Sequence, residues 1–206
     1  MNSTEMEQKL IEIAQWDKKQ RWFDNQHKRA MKLCQKIYGI PYMQHRIIYH
    51  PQMERMQGEF SDLPDGTAMF QYSMQDIFDK TPYGQYDYTE YDEFADSEYI
   101  GNVECCDDWK QVCMCILAHE VAHMMREMHL PALVKRFGAL GVEEPVEGHD
   151  TYWQKCYAEL RAIMLDWFTK KELKWKPVNC VHMWQTKLNG LTEWSSTRIV
   201  RKSYIG

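Results

Sequence analysis

The sequence predicts an α+β fold: a long N-terminal helix, short strands, and further helices over residues 108–129 and 149–168. Three observations carry this expectation. Residues 4–38 hold few helix breakers and place apolar side chains at helical spacing. Two short runs, 45–50 and 67–73, have strand composition and lie next to turn residues. Residues 108–129 and 149–168 return to the helical period. With 206 residues, 44% of them hydrophobic, the chain has enough apolar material for one ordinary domain or a domain with a small appendage.

The first helix rests on Leu10, Ile13, Ala14, Phe23, Ala30, Leu33 and Ile37, and Gly39 with Pro41 beyond supplies its stop. HRIIYH (45–50) reads as a strand ended by Pro51; TAMFQYS (67–73) reads as a strand entered from Pro64, Asp65 and Gly66. From 79 to 108 the chain carries ten acidic residues against one lysine, with Tyr83, Tyr86, Tyr88, Tyr91 and Tyr99 interleaved. Its last part, EYIGNVE (98–104), reads as a strand and the rest as a loop, a solvated acidic surface or, as the alternative, a cleft wall before the next helix. Asp107 or Asp108 caps the next helix, 108–129, which Pro131 ends. ALVKRFGAL (132–140) reads as a short helix and EEPVEG (143–148) as a loop. Residues 149–168 form an amphipathic helix with Trp153, Cys156, Leu160, Ile163 and Trp167 on one stripe.

Composition narrows the function classes. Net charge is −5 and the pI about 5.9, so the chain as a whole is not drawn to nucleic acid or an anionic membrane. Its longest apolar run, VCMCILA (112–118), is too short to cross a bilayer. The opening residues, MNSTEMEQKLIEIAQW, lack the apolar stretch of a secretory signal. Seven cysteines with no C-x-x-C fit thiols in a reducing cytosol, so a cytoplasmic location is expected. Cys105, Cys106, Cys113 and Cys115 read as small buried hydrophobes.

One stretch departs from packing logic. In LAHEVAHMM (117–125) a glutamate and two histidines interrupt a helix otherwise suited to burial. At roughly 100° per residue, Trp109, Cys113, Ile116, Leu117, Met124 and Met128 share one arc. His119 and His123, four apart, project along the edge of that arc, and Glu120 falls inside it. An unpaired buried carboxylate is costly, so a helix selected only for packing avoids one. A divalent cation changes the balance: two imidazoles ligate it, and the glutamate serves as acid/base toward an activated water. This is H-E-x-x-H. Catalytic zinc takes a third protein ligand. His149 stands at a loop-to-helix junction after Gly148, which permits a tight turn, and Trp153 anchors the helix beyond. The rival is a carboxylate, with Glu159 the best placed.

LAHEVAHMM followed by GHDTYW (148–153) resembles the SprT-like metalloprotease family, which includes the Spartan-type proteases. The resemblance covers about residues 45–168. It implies a zincin-like domain, with a small sheet on the active-site helix, that hydrolyses peptide bonds in proteins, in several members proteins bound or crosslinked to DNA. Carried over by position, it implies His119, His123 and His149 as ligands of one zinc ion and Glu120 as the catalytic acid/base. Two features set this chain apart. Twenty-five residues separate His123 from His149, so the 132–140 helix must fold back; and the C-terminus holds Cys180 alone, where many bacterial members have a cysteine-rich ribbon.

The chain divides by charge into 1–169 and 170–206. The second part carries eight Lys/Arg against two Glu. Lys170, Lys171, Lys174, Lys176, Arg198, Arg201 and Lys202, interleaved with Trp175, Trp184 and Trp194, form a basic-aromatic mixture suited to nucleic acid. Pairing with the acidic 79–108 segment would use the same charge. The alternative to a protease is a non-catalytic scaffold that binds a protein or nucleic-acid partner; an intact Glu120 speaks against it.

Overall fold

A computed structural model describes residues 3–50, 58–73, 100, 109–144 and 146–169. Helix α1 (Ser3–Tyr38) runs 36 residues and ends where the Gly39 amide donates to the Gln35 carbonyl at 3.1 Å. Phe23, Gln26, His27, Ala30, Met31, Cys34 and Tyr38 recur every three or four positions and are buried. Leu33 and Ile37 lie half-buried at the margin of this stripe. The side chains of Leu10, Ile13 and Ala14 lie outside the described residues.

Among the described residues the sheet has three strands, β1 (His45–His50), β2 (Gly58–Asp62) and β3 (Ala68–Ser73), in the order β1-β3-β2. β3 is central, parallel to β1 with Ile47 opposite Phe70, and antiparallel to β2 with Phe60 opposite Phe70. Ala68, Phe70 and Tyr72 alternate along β3 and are fully buried. β1 docks on α1 where the Tyr49 hydroxyl donates to Asp24 Oδ1 at 2.8 Å. The turn expected at Pro64–Gly66 is present: the Gly66 amide donates to the Leu63 carbonyl and the Thr67 amide to Asp65 Oδ1. β2 was not expected, because GEFSD offers one bulky apolar side chain, Phe60, in an edge strand.

Helix α2 (Trp109–Met128) lies against β2, α1 and the two helices that follow. The expected single buried arc is too narrow: Gln111 to Ala118, Glu120 to Ala122, Met124 and Met125 are all buried, whereas Trp109 and Met128 are half-buried. A helix enclosed on most sides reads as apolar around most of its circumference.

Helix α3 (Leu130–Phe137) starts two residues before the expected 132 and stops three before 140. Pro131 ends α2 but also sits in the first turn of α3, where its missing N–H breaks no helical bond. At the far end the Gly138 amide caps the Val134 carbonyl at 2.8 Å. Helix α4 (Thr151–Thr169) begins after, not at, His149, because Asp150 is the capping residue: its Oδ1 accepts the Trp153 amide at 3.0 Å. Trp153, Cys156 and Leu160 are buried as expected; Ile163 and Trp167 are half-buried. α2 and α4 pack along each other, and α3 folds back against both. The expected strand at 98–104 apart from Ile100, the rest of the acidic 79–108 stretch apart from Ile100, the Asp107/Asp108 cap and residues 170–206 lie outside the described residues. No helix among the described residues is long and apolar enough to cross a membrane.

Candidate metal centre

Four residues apart on α2, His119 and His123 bring their Nε2 atoms to 3.1 Å from each other. His149 comes from the loop before α4 and places its Nε2 at 3.4 Å from that of His119. The ligand atoms of the three imidazoles lie within 4.8 Å of one another, a set able to hold one metal ion.

The loop is built to deliver His149. Gly148 has φ +75°, a left-handed turn that an L side chain resists, and its amide donates to Glu144 Oε1 at 2.6 Å. The turn points the next residue back at α2. His149 Nδ1–H donates to the Glu147 carbonyl at 2.6 Å, which fixes the tautomer and leaves Nε2 as an electron-pair donor facing the other rings. Further up the loop, the Tyr152 hydroxyl donates to the Gly138 carbonyl at 3.1 Å and accepts the Leu140 amide at 3.0 Å. Thr151 Oγ1 accepts the Glu143 amide at 2.9 Å.

Trp153 does more than anchor its helix. Its fully buried ring meets His119, His149 and His123 at centroid distances of 4.9, 4.3 and 5.3 Å, forming a floor beneath the triad, and it stacks on Tyr157. Burial, followed by the charges of His119 and His149, pushes the His123 imidazolium down to about 2, so the ring stays neutral and able to ligate.

Glu120 is buried at 3% exposure, with Oε1 at 4.0 Å from His119 Nε2. On the side of β2, a Cβ on Gly58 would lie 2.8 Å from Glu120 Oε1 and 3.1 Å from the Tyr72 ring. Tyr72 is fully buried, and burial, then the Glu120 charge, hold its phenol well above the usual range.

Glu159, the rival third ligand, is engaged elsewhere: it accepts from the Tyr38 hydroxyl at 3.1 Å and from Arg136 at 2.5 Å. Asp150 contacts no imidazole of the triad by a hydrogen bond; it binds Arg126. The other described histidines also lie apart. His45 Nδ1–H donates to the Met43 carbonyl, His50 pairs with Gln71, and His129 Nε2 lies 3.0 Å from Met43 Sδ. His27 is sealed in the core with neither ring nitrogen hydrogen-bonded. Cys34, Cys113, Cys115 and Cys156 are buried thiols, outside the triad. Lys170, Lys171, Lys174, Lys176, Arg198, Arg201 and Lys202 lie outside the described residues. Gly58, Tyr72 and the Arg126–Asp150 pair were not visible in the sequence, since no local spacing marks them. Against protein-family models, curated proteins and solved structures, the chain has no significant match.

Proposed function

We propose that this chain is a zinc-dependent endopeptidase with a zincin-like domain of the SprT type, acting on proteins, including those bound or crosslinked to DNA. The observation that carries the reading is the meeting of His149 with His119 and His123 beside the buried carboxylate of Glu120. Two nitrogens bound tetrahedrally to zinc stand about 3.3 Å apart. The two separations His119 makes, 3.1 and 3.4 Å, fit that spacing, the whole set spans up to 4.8 Å, and imidazole nitrogens suit zinc. His119, His123 and His149 would hold the ion.

The chemistry a zinc ion supplies in such a site is Lewis acidity, which makes water acidic near neutral pH and draws electrons from a carbonyl. Glu120 takes a proton from water as the water oxygen attacks the carbonyl carbon. It then passes that proton to the amine nitrogen as the C–N bond breaks. The Trp153 floor and the Glu147 carbonyl hold the imidazoles in orientation while this happens. Contact with DNA is assigned to Lys170, Lys171, Lys174, Lys176, Arg198, Arg201 and Lys202.

Metal content and cleavage of casein or histones, with and without DNA, test the reading in wild type and Glu120→Gln. The expected result is about one zinc per chain in both and cleavage in wild type alone. Zinc without cleavage of any protein by wild type would favour a non-catalytic binder. Removing 170–206 should abolish retention on DNA and its steep salt dependence; unchanged retention would end the nucleic-acid assignment.

A further inference from the structure

Gly58 sits where the sheet asks for a side chain. It pairs with Tyr72 on the face of β2 that also presents Phe60, and this face turns toward α2. Gly58 opens β2, and a glycine in a strand often marks a place where another group comes close to the backbone. Here that group is the carboxylate of Glu120. An ideal Cβ at 58 falls 2.8 Å from Glu120 Oε1, closer than real Cβ atoms come to a neighbour, and 3.1 Å from Cδ1 and Cε1 of Tyr72. A methyl at 58 therefore obliges the carboxylate end of the buried Glu120 side chain to shift and the buried Tyr72 ring to give by a few tenths of an ångström.

We propose that Gly58 is a positioning residue: the bare strand backbone at 58 forms the wall against which the Glu120 carboxylate is set beside the histidine triad. The inference rests on the role given to Glu120 above, but its primary test does not. Thermal unfolding of the metal-free protein is measured for Gly58→Ala in three backgrounds: Glu120 intact, Glu120→Gln and Glu120→Ala. Glutamine keeps the bulk of glutamate and alanine removes it. The melting temperature should fall by several degrees with Glu or Gln at 120, and by clearly less with Ala there. Any drop common to all three backgrounds reports the Tyr72 ring; the difference between backgrounds reports the side chain at 120.

In the zinc-loaded protein, Gly58→Ala should lower kcat about a hundredfold with zinc stoichiometry and KM retained. Adding Gly58→Ala to Glu120→Asp, whose shorter side chain clears the new methyl, should cost much less than adding it to wild type. An equal melting drop in every background, or loss of the fold in every background, would overturn the inference. If wild type cleaves no protein, the proposed function fails, and the melting cycle still decides the place of Gly58.

Discussion

Arg126 Nε on α2 donates to Asp150 Oδ2 at 2.5 Å, while Asp150 Oδ1 accepts the Trp153 amide that opens α4. One carboxylate thereby ties the helix bearing His119 and His123 to the residue that follows His149. Asp150→Ala removes both the cap and the bridge, so zinc affinity should fall about 10–100-fold in a competition titration. Urea unfolding should show a loss of about 1–3 kcal/mol. Asp150→Asn keeps an N-cap oxygen and should fall between wild type and alanine.

Holding three imidazoles nitrogen to nitrogen favours a state with a cation bound. Zinc at about one hundred times its dissociation constant should stabilise the fold by about 2.7 kcal/mol, and a chelator should reverse this. In His149→Ala the rise in melting temperature on adding zinc should largely disappear, while the chelated variant melts close to the chelated parent. Differential scanning calorimetry with and without chelator checks both.

His27 faces Phe23 on its own helix, His45 on β1, and Phe70 and Tyr72 on β3. Burial, then the charge of His45, holds its imidazolium well below 6.5. A base whose folded pKa is depressed binds more protons when unfolded, so its contribution is intact above 6.5 and is lost as pH falls below it. The loss approaches about 1.4 kcal/mol per pH unit for this one group. His27→Phe should melt at or above wild type at pH 7.5 and lose less stability at pH 5.5. An identical acid limb in both proteins would contradict this.

Tyr152→Phe deletes the hydroxyl that joins the Gly138 carbonyl and the Leu140 amide. Stability should drop by about 1–2 kcal/mol. Amide exchange should speed up at 138–144 and stay unchanged in α2, as read by mass spectrometry.

What the sequence discloses here depends on how far apart the interacting groups lie in the chain. His119, Glu120 and His123 were readable because a helix converts a spacing of four into shared direction. β1, β3 and the outlines of α1, α2 and α4 were readable from period and turn residues, to within a residue or two. His149 was readable through Gly148, whose turn is local. The Arg126–Asp150 bond spans 24 positions and joins two helices, so no window of sequence holds both partners and their geometry. β2 was hidden because its neighbours, rather than its own composition, make it a strand. Pro131 misled on α3 because the same residue that stops one helix is accepted in the first turn of the next.

The strand order has a kinetic consequence. Among the described residues, β1 and β2 do not pair with each other; both hydrogen-bond to β3, which is the last of the three along the chain. In chain order, therefore, β1 and β2 are both made before β3, the strand with which each of them pairs. Gly58, at the start of β2, gains its ladder partner Tyr72 only once residues 68–73 have been made, which is still before Glu120 enters the chain.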